Sequence, residues 1–536
     1  MSAVQHHPEP DPDVAAGPIA GEQTALDPAL VARLVRGVVS DGTQAQTTLA
    51  PFTGRPLGAI PLSSEDDVDR AYMTARSAQV TWAATSVGTR TRVLLRLHDL
   101  VLDRQDEILD LLQTESGKSR KHGFEEVIDV ALNARHYARR GARYLRPRRH
   151  PGLFPVVSTA VEVRHPKGVV GIVSPWNYPL TLAVSDALPA FVAGNAVVHK
   201  PDTQTALTAL LVRELAIEAG LPPALWQVVL GEGPTVGRAV LDRGDFVCFT
   251  GSTPVGREVA QRAAARLVGA SLELGGKNPM LVLDDADLDK AATAAMRDCF
   301  ANAGQLCVSM ERIYVDQSRH AAFLERIVRR TKGLRIGSGL DYTADVGSLI
   351  SATQLERVIR FVDDAVAKGA TVRAGGRARP DLGPCFYEPT VLTGVTEEMD
   401  LCRGEVFGPV VAVAPVRDEA EAVSHANDTT YGLNASVWTR DLRRGRRVAE
   451  RIHAGTVSVN EAYGASWGAT SSPMGGVKDS GLGRRHGRDG ILKYTEPQTI
   501  GIQRLLGFDP VGGMSHETWV KAVTASLRAF KAIGRS

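Results

Sequence analysis

Between Gly168 and Leu274 the sequence alternates short apolar runs with amphipathic ones, and this alternation constrains the fold more than any other feature. GVVGIVS (168–174), AVVHK (196–200), WQVVL (226–230), FVCFT (246–250) and the run 271–274 read as strands. The stretches 180–193, 206–219 (closed by Gly220), 235–242 and 255–267 read as helices. Strands separated by helices at this spacing require crossover connections, hence a parallel sheet covered on both faces. Open sheets of this kind place ligands beyond the carboxyl ends of their strands. The fold class is therefore α/β, with a Rossmann-like parallel-sheet domain.

A second α/β alternation runs from Pro279 to about Gly476 and implies another domain with its own sheet. It includes RIYV (312–315), helices near 321–333 and 351–369, a strand at 410–415 and another at 456–459. Ahead of both, the runs 65–82, 89–116 and 124–144 have helical spacing. The last ends in the basic stretch 139–149, read as a solvated helix end rather than a phosphate site. Residues 1–25, rich in Pro, His and acidic residues, read as a disordered arm. In the tail 507–536, Trp519, Val520, Val523, Leu527 and Phe530 share one helical face. That face predicts packing on its own subunit or a neighbour, with a membrane surface as the weaker alternative.

With 536 residues the chain suits two or three domains. A net charge of +2 gives no reason to expect nucleic acid as a partner. The five cysteines are scattered, with no metal-ligand spacing, so neither a disulfide framework nor a metal site is expected. No leader and no apolar run of membrane-spanning length is read. The expectation is a reduced, soluble, cytoplasmic protein.

Candidate chemistry clusters in a few segments. In SLELGGKNP (271–279), Glu273 ends a strand, where a carboxylate can activate water. In NAGQLC (302–307), Cys307 lies in a Gly-Gln loop that predicts an accessible thiol, a soft nucleophile suited to a carbonyl carbon. Taken alone, Cys307 reads rather as a small core residue, as do Cys248, Cys299 and Cys402. SPWNYP (174–179) brings apolar Trp176 and Tyr178 beside Asn177, whose amide suits a developing oxyanion. GSTPVG (251–256) opens a helix after a strand, and Lys200 of KPDT (200–203) ends another; both suit phosphate or ribose, each weakly.

Together these segments resemble the aldehyde dehydrogenase superfamily over nearly the whole folded chain. EVFGPV (405–410), YGLNASV (431–437) and PMGGVKDSGLGR (473–484) complete the series in the family's order. The resemblance implies that Cys307 attacks an aldehyde, that Asn177 and the Cys307 N–H form the oxyanion hole, and that Glu273 activates the water that hydrolyses the thioester. It assigns Trp176, Lys200, Thr203, Gly233, Gly251, Ser252, Val255, Leu274, Glu405 and Phe407 to the nicotinamide cofactor. Members preferring NAD commonly carry Glu where this chain has Thr203. A carboxylate would repel a 2′-phosphate and a threonine can donate to it, so NADP is expected to be preferred, with NAD possible.

The resemblance extends to actinobacterial NADP-type succinate-semialdehyde dehydrogenases. Two arginines that clamp the substrate carboxylate in better-known enzymes correspond here to Ser185 and Ala301. Tyr178 and the longer loop 460–473, with Tyr463, Ser466 and Trp467, are the other expected pocket residues. Asp186 departs too, since many members have Lys there. Succinate semialdehyde is the expected substrate, an uncharged aliphatic or aromatic aldehyde the alternative. A cofactor-independent thiol esterase and a non-catalytic assembly protein are the readings from other classes. The resemblance also implies a homodimer or homotetramer. Domain boundaries are expected at 26–148 with 165–275 (cofactor), 276–478 (catalytic) and 149–164 with 479–506 (oligomerisation).

Overall fold

The computed structural model describes residues 26–152, 158–504 and 509–532. The expected arm 1–25 and the stretch 153–157 of the oligomerisation segment lie outside the described residues.

The first sheet has six strands in the order Gly481–Leu482, Gly269–Glu273, Phe246–Thr250, Val169–Ser174, Ala196–Pro201, Trp226–Val228. All pairings are parallel except that of Gly481–Leu482 with Leu272 and Glu273. Ala196–Pro201 is buried at every position, as expected of a strand covered on both faces. The covering helices start where the sequence supplies caps. Ser64 and Asp67 form a reciprocal capping box on Glu65–Ala84, a device worth about 1 kcal/mol. Pro254 occupies the first turn of Thr253–Ala265, where its missing N–H costs nothing.

The second sheet has seven strands in the order Thr371–Ala374, Thr390–Thr393, Val410–Val416, Met310–Asp316, Asn278–Val282, Asn434–Trp438, Thr456–Val459. Thr371–Ala374 is its one antiparallel strand. A separate three-stranded antiparallel sheet has the order Thr495–Gln503, Ser158–Pro166, Arg148–Pro151.

Three expectations need correction. The single helix 180–193 is two, Pro179–Val184 and Ala187–Ala193, interrupted at Ser185 and Asp186. The run 89–116 is likewise two helices, Val87–Asp103 and Gln105–Ser116, meeting at Arg104. The stretch 479–492 does not belong with the small sheet. Gly481–Leu482 extends the first sheet, and Gly487–Leu492 packs on Ala187–Ala193. The tail forms the helix His516–Ala532 as its spacing implies, with none of its described residues fully buried. The arginines at 139–149 are all exposed; those to Arg146 form a solvated helix end, while Arg148 and Arg149 open the strand Arg148–Pro151.

Candidate active site

An enclosed cavity lies at the carboxyl ends of the first sheet's strands, closed by the second domain. Asn177, Glu273 and Cys307 all line it, together with Tyr178, Ser185, Tyr463 and Trp467. Three distant stretches of sequence thus meet at one point.

Cys307 follows the turn Ala301–Gly304, in which Asn302 and Ala303 hold φ of +50° and +53°. Left-handed backbone at two successive non-glycine residues costs free energy and persists only where neighbours fix it. Here Asn302 Nδ2 donates to the Asn177 carbonyl at 2.9 Å, and Gln305 Nε2 donates to the Asn302 carbonyl at 3.0 Å. Asn278 Nδ2 donates to the Cys307 carbonyl at 2.8 Å. A Cβ at Gly276 would sit 2.7 Å from that carbonyl oxygen, so only glycine allows this approach. The thiol is half-buried and its open side faces the cavity, not bulk solvent. Burial first, then the Glu405 and Glu273 carboxylates, push its pKa up to about 12. The loop thiol expected from the sequence to be accessible is partly exposed at the cavity wall.

Asn177 is fixed from both sides. Its Nδ2 donates to the Gln305 carbonyl at 3.2 Å, and its own carbonyl accepts from Lys118 Nζ at 2.9 Å. Lys118 is fully buried, ion-paired with Glu126, and lies 4.0 Å from the Tyr178 ring centroid. Glu126 Oε2 in turn accepts from the N–H groups of Leu180 and Thr181 at 2.9 and 3.0 Å. Sequence reasoning missed this support. Its trace was the spacing of Glu126, Asp129 and Asn133, a polar stripe on the buried face of Arg120–Leu145.

Glu273 ends its strand beside Thr250, its register partner. Its Oε1 is buried without a hydrogen bond to any described residue. Burial pushes the carboxyl up to about 7, while Arg485 and Lys493 pull the other way. A Cβ at Gly475, whose φ is +149°, would lie 2.8 Å from Glu273 Oε1. That glycine lets the 473–484 segment pass directly over the carboxylate. Arg485 also lines the cavity and was not expected there.

Most of the residues assigned to a nucleotide lie at or just beyond the same strand ends, with Glu405 and Phe407 in the loop before Val410–Val416. Lys200 is buried yet makes no ion pair or hydrogen bond to the described residues, and burial lowers its pKa. An orphaned ammonium of this kind fits a ligand rich in hydroxyls or phosphate. Thr203 is buried three residues on, and Gly233 opens a single π-helical turn. Gly251 and Ser252 precede the helix Thr253–Ala265, with Val255 exposed on its first turn. Leu274 instead packs beneath Gly256 in an apolar cluster, so it supports the helix rather than presenting a side chain to the strand ends. Glu405 Oε1 accepts from the Gly276 N–H at 2.9 Å. Phe407, at φ +57°, stands edge-on to Trp176 with ring centroids 5.5 Å apart.

Among the expected pocket residues, Ser466 and Ala301 are misassigned as lining. The Ser466 hydroxyl is spent on the Tyr463 carbonyl at 3.1 Å, and Ala301 is fully buried in the apolar cluster behind Tyr178 and Cys307. Two carboxylates are added, Glu125 and Asp129. Glu125 accepts from the Tyr463 hydroxyl at 2.9 Å, and burial raises Asp129 to about 7. Among the described residues no group of three or more His, Cys, Asp or Glu is placed to hold a metal ion, and no helix is long and apolar enough to cross a membrane.

Comparisons with known proteins agree with this architecture. A Mycolicibacterium smegmatis protein named "Putative succinate-semialdehyde dehydrogenase", NADP(+), is 51% identical over 94% of this chain and 98% of its own length. The 4,4'-diapolycopene aldehyde oxidase of a Methylomonas species is 38% identical over 84% of this chain and 85% of its own length. The crystal structure of an NADP-dependent enzyme of E. coli superposes with a TM-score of 0.83 at 34% identity, covering 87% of this chain and 96% of that one. The family model for the aldehyde dehydrogenase family matches residues 38–500, and the chain belongs to that family.

Proposed function

We propose that the chain oxidises an aldehyde to a carboxylic acid with NADP, through a thioester on Cys307. The convergence of Cys307, Asn177 and Glu273 on one enclosed cavity carries this reading. The Asn177 amide, fixed by Lys118 and Gln305, is poised to donate to the oxyanion that forms when Cys307 adds to the carbonyl. Bound at the strand ends, the cofactor supplies the hydride acceptor and, in its oxidised ring, a positive charge. Next to such a charge the Cys307 thiol loses its proton more readily. Glu273, with a pKa near neutrality, then takes a proton from the water that hydrolyses the thioester. A thiol esterase would leave Lys200 and the Glu405–Phe407 segment without a role.

The lack of a carboxylate at Thr203 supports NADP over NAD, as does the M. smegmatis relative's name. Thr203→Glu is expected to invert the ratio of kcat/KM for NADP over NAD, by about 100-fold, since a like charge placed opposite a 2′-phosphate costs several kcal/mol. Initial rates with both cofactors check this, and an unchanged ratio would remove Thr203 from the argument.

Succinate semialdehyde is the first substrate reading. The relative's name supports it, and so do the buried hydroxyls of Tyr178 and Ser185, which have no partner among the described residues. A substrate carboxylate would accept from such donors. The Glu125 and Asp129 carboxyls and the Trp467, Leu182 and Met474 side chains favour the second reading, an uncharged apolar aldehyde. In a panel of succinate semialdehyde, butanal and benzaldehyde, kcat/KM is expected to favour succinate semialdehyde over butanal by about tenfold or more. Equal or faster turnover of the uncharged pair would select the second reading. The edge strand Thr495–Gln503, with Ile500 and Ile502 exposed, supports a homo-oligomer joined through the small sheet.

A further inference from the structure

Asp186 occupies the break between the helices Pro179–Val184 and Ala187–Ala193 and is 1% exposed. Its Oδ2 accepts from Arg485 Nε and Nη2 at 3.1 and 2.6 Å. Its Oδ1 accepts from Lys493 Nζ at 2.9 Å and from the Tyr494 hydroxyl at 2.6 Å. Burial alone would push this carboxyl up, but the two cations hold it well below the usual carboxylate range.

Both cations make a second bond, Lys493 to the strand that carries Glu273 and Arg485 to the strand paired with it. Arg485 Nη2 donates to Thr250 Oγ1 at 2.6 Å, and Thr250 is the register partner of Glu273. Lys493 Nζ donates to Ser271 Oγ at 2.9 Å. Ser271 lies two residues before Glu273, on the same face of its strand. Two cations held by one aspartate leave a surplus positive charge. Arg484 of the same segment and Cys307 across the cavity are the other ionisable groups acting on or acted on by Glu273.

We infer that Asp186 and Arg485 are positioning residues for Glu273. Asp186 fixes Arg485 and Lys493 against the two strands, and their surplus positive charge pulls Glu273 toward the carboxylate that deacylation needs. The inference rests on the reading of Glu273 as the base. It gives a positive reason for Asp186: its negative charge answers the arginine at position 485. The pair is an electrostatic setting rather than a proton path, because a guanidinium does not release its proton at working pH.

The sign of the effect distinguishes this role from simple structural support. The wild-type rate of the linear phase of NADPH formation, after any burst, should rise with pH as Glu273 ionises. Asp186→Asn adds to the surplus positive charge, so that limb should move to lower pH, by about one unit. Arg485→Gln removes positive charge, so the limb should move to higher pH by a similar amount. Arg485→Lys keeps the charge and should leave the limb in place even if the rate falls. Profiles from about pH 5.5 to about pH 9 on saturating substrate report all four proteins. Opposite displacements support the inference. Displacement in one common direction, or lowered rates with an unmoved limb, would overturn it. Glu273→Gln is the control: if that variant keeps the limb, the base assignment itself is wrong, whatever the other variants do. If Asp186→Asn does not fold, the contrast between Arg485→Gln and Arg485→Lys still decides.

Discussion

Cys307→Ala is expected to lose aldehyde oxidation with every substrate, by at least about 10⁴-fold in kcat, because no other thiol can replace it. Cys248 and Cys299 are buried in apolar clusters, and Cys385 and Cys402 line no part of the cavity. The substitution removes a half-buried sulfur at the cavity wall and should disturb the fold little. NADP binding, followed as thermal stabilisation, should therefore survive while reduced-cofactor formation at 340 nm vanishes. Residual oxidation within about tenfold of wild type would exclude Cys307 as nucleophile.

Glu273→Gln is expected to separate the two halves of the reaction. Rapid mixing with excess aldehyde and NADP should give one burst of reduced cofactor per site. The linear phase should then be slower than wild type by about 10²- to 10⁴-fold, the usual contribution of a general base. The pH dependence follows from the same carboxyl. Burial raises it to about 7, and the base form is the ionised one, so wild-type deacylation should climb as pH rises through neutrality and level off above it. The glutamine has no ionisable group, so its slow linear phase should lack that limb. Steady turnover at the wild-type rate would show that another group activates the water.

Much of the first sheet was legible because strands covered on both faces are written as unbroken apolar runs. FVCFT and AVVHK sit in the sheet almost residue for residue where their pattern places them. That Cys307, Asn177 and Glu273 share one cavity was foreshadowed for another reason: each lies in a short segment rich in Gly, Pro or Asn, at a strand end or in a turn. What was not legible depends on contacts distant in sequence. Nothing near Asp186 shows that Arg485, Lys493 and Tyr494 will neutralise it, so the apolar periodicity of 180–193 suggested one continuous helix. Lys118 reads locally as a surface lysine, and only the fold brings Glu126 and the Asn177 carbonyl to it. Ser466 and Ala301 were placed by motif alignment. A hydroxyl turned to its own loop and a methyl behind the wall are outcomes of side-chain direction, which alignment does not encode.

The first domain is completed by the last part of the folded chain. Gly481–Leu482 supplies its edge strand, and Ile491 and Tyr494 fill its apolar core without solvent exposure. During synthesis these residues emerge only after the whole second domain has been made. Until then the early domain has an unpaired strand edge, a hole where the Tyr494 ring belongs, and an unanswered charge at Asp186. Vectorial folding of the first domain thus stays incomplete while the second domain is synthesised, and chaperone dependence should track the delay. A nascent chain released before Tyr494 would lack not a terminal ornament but the closing piece of its first domain.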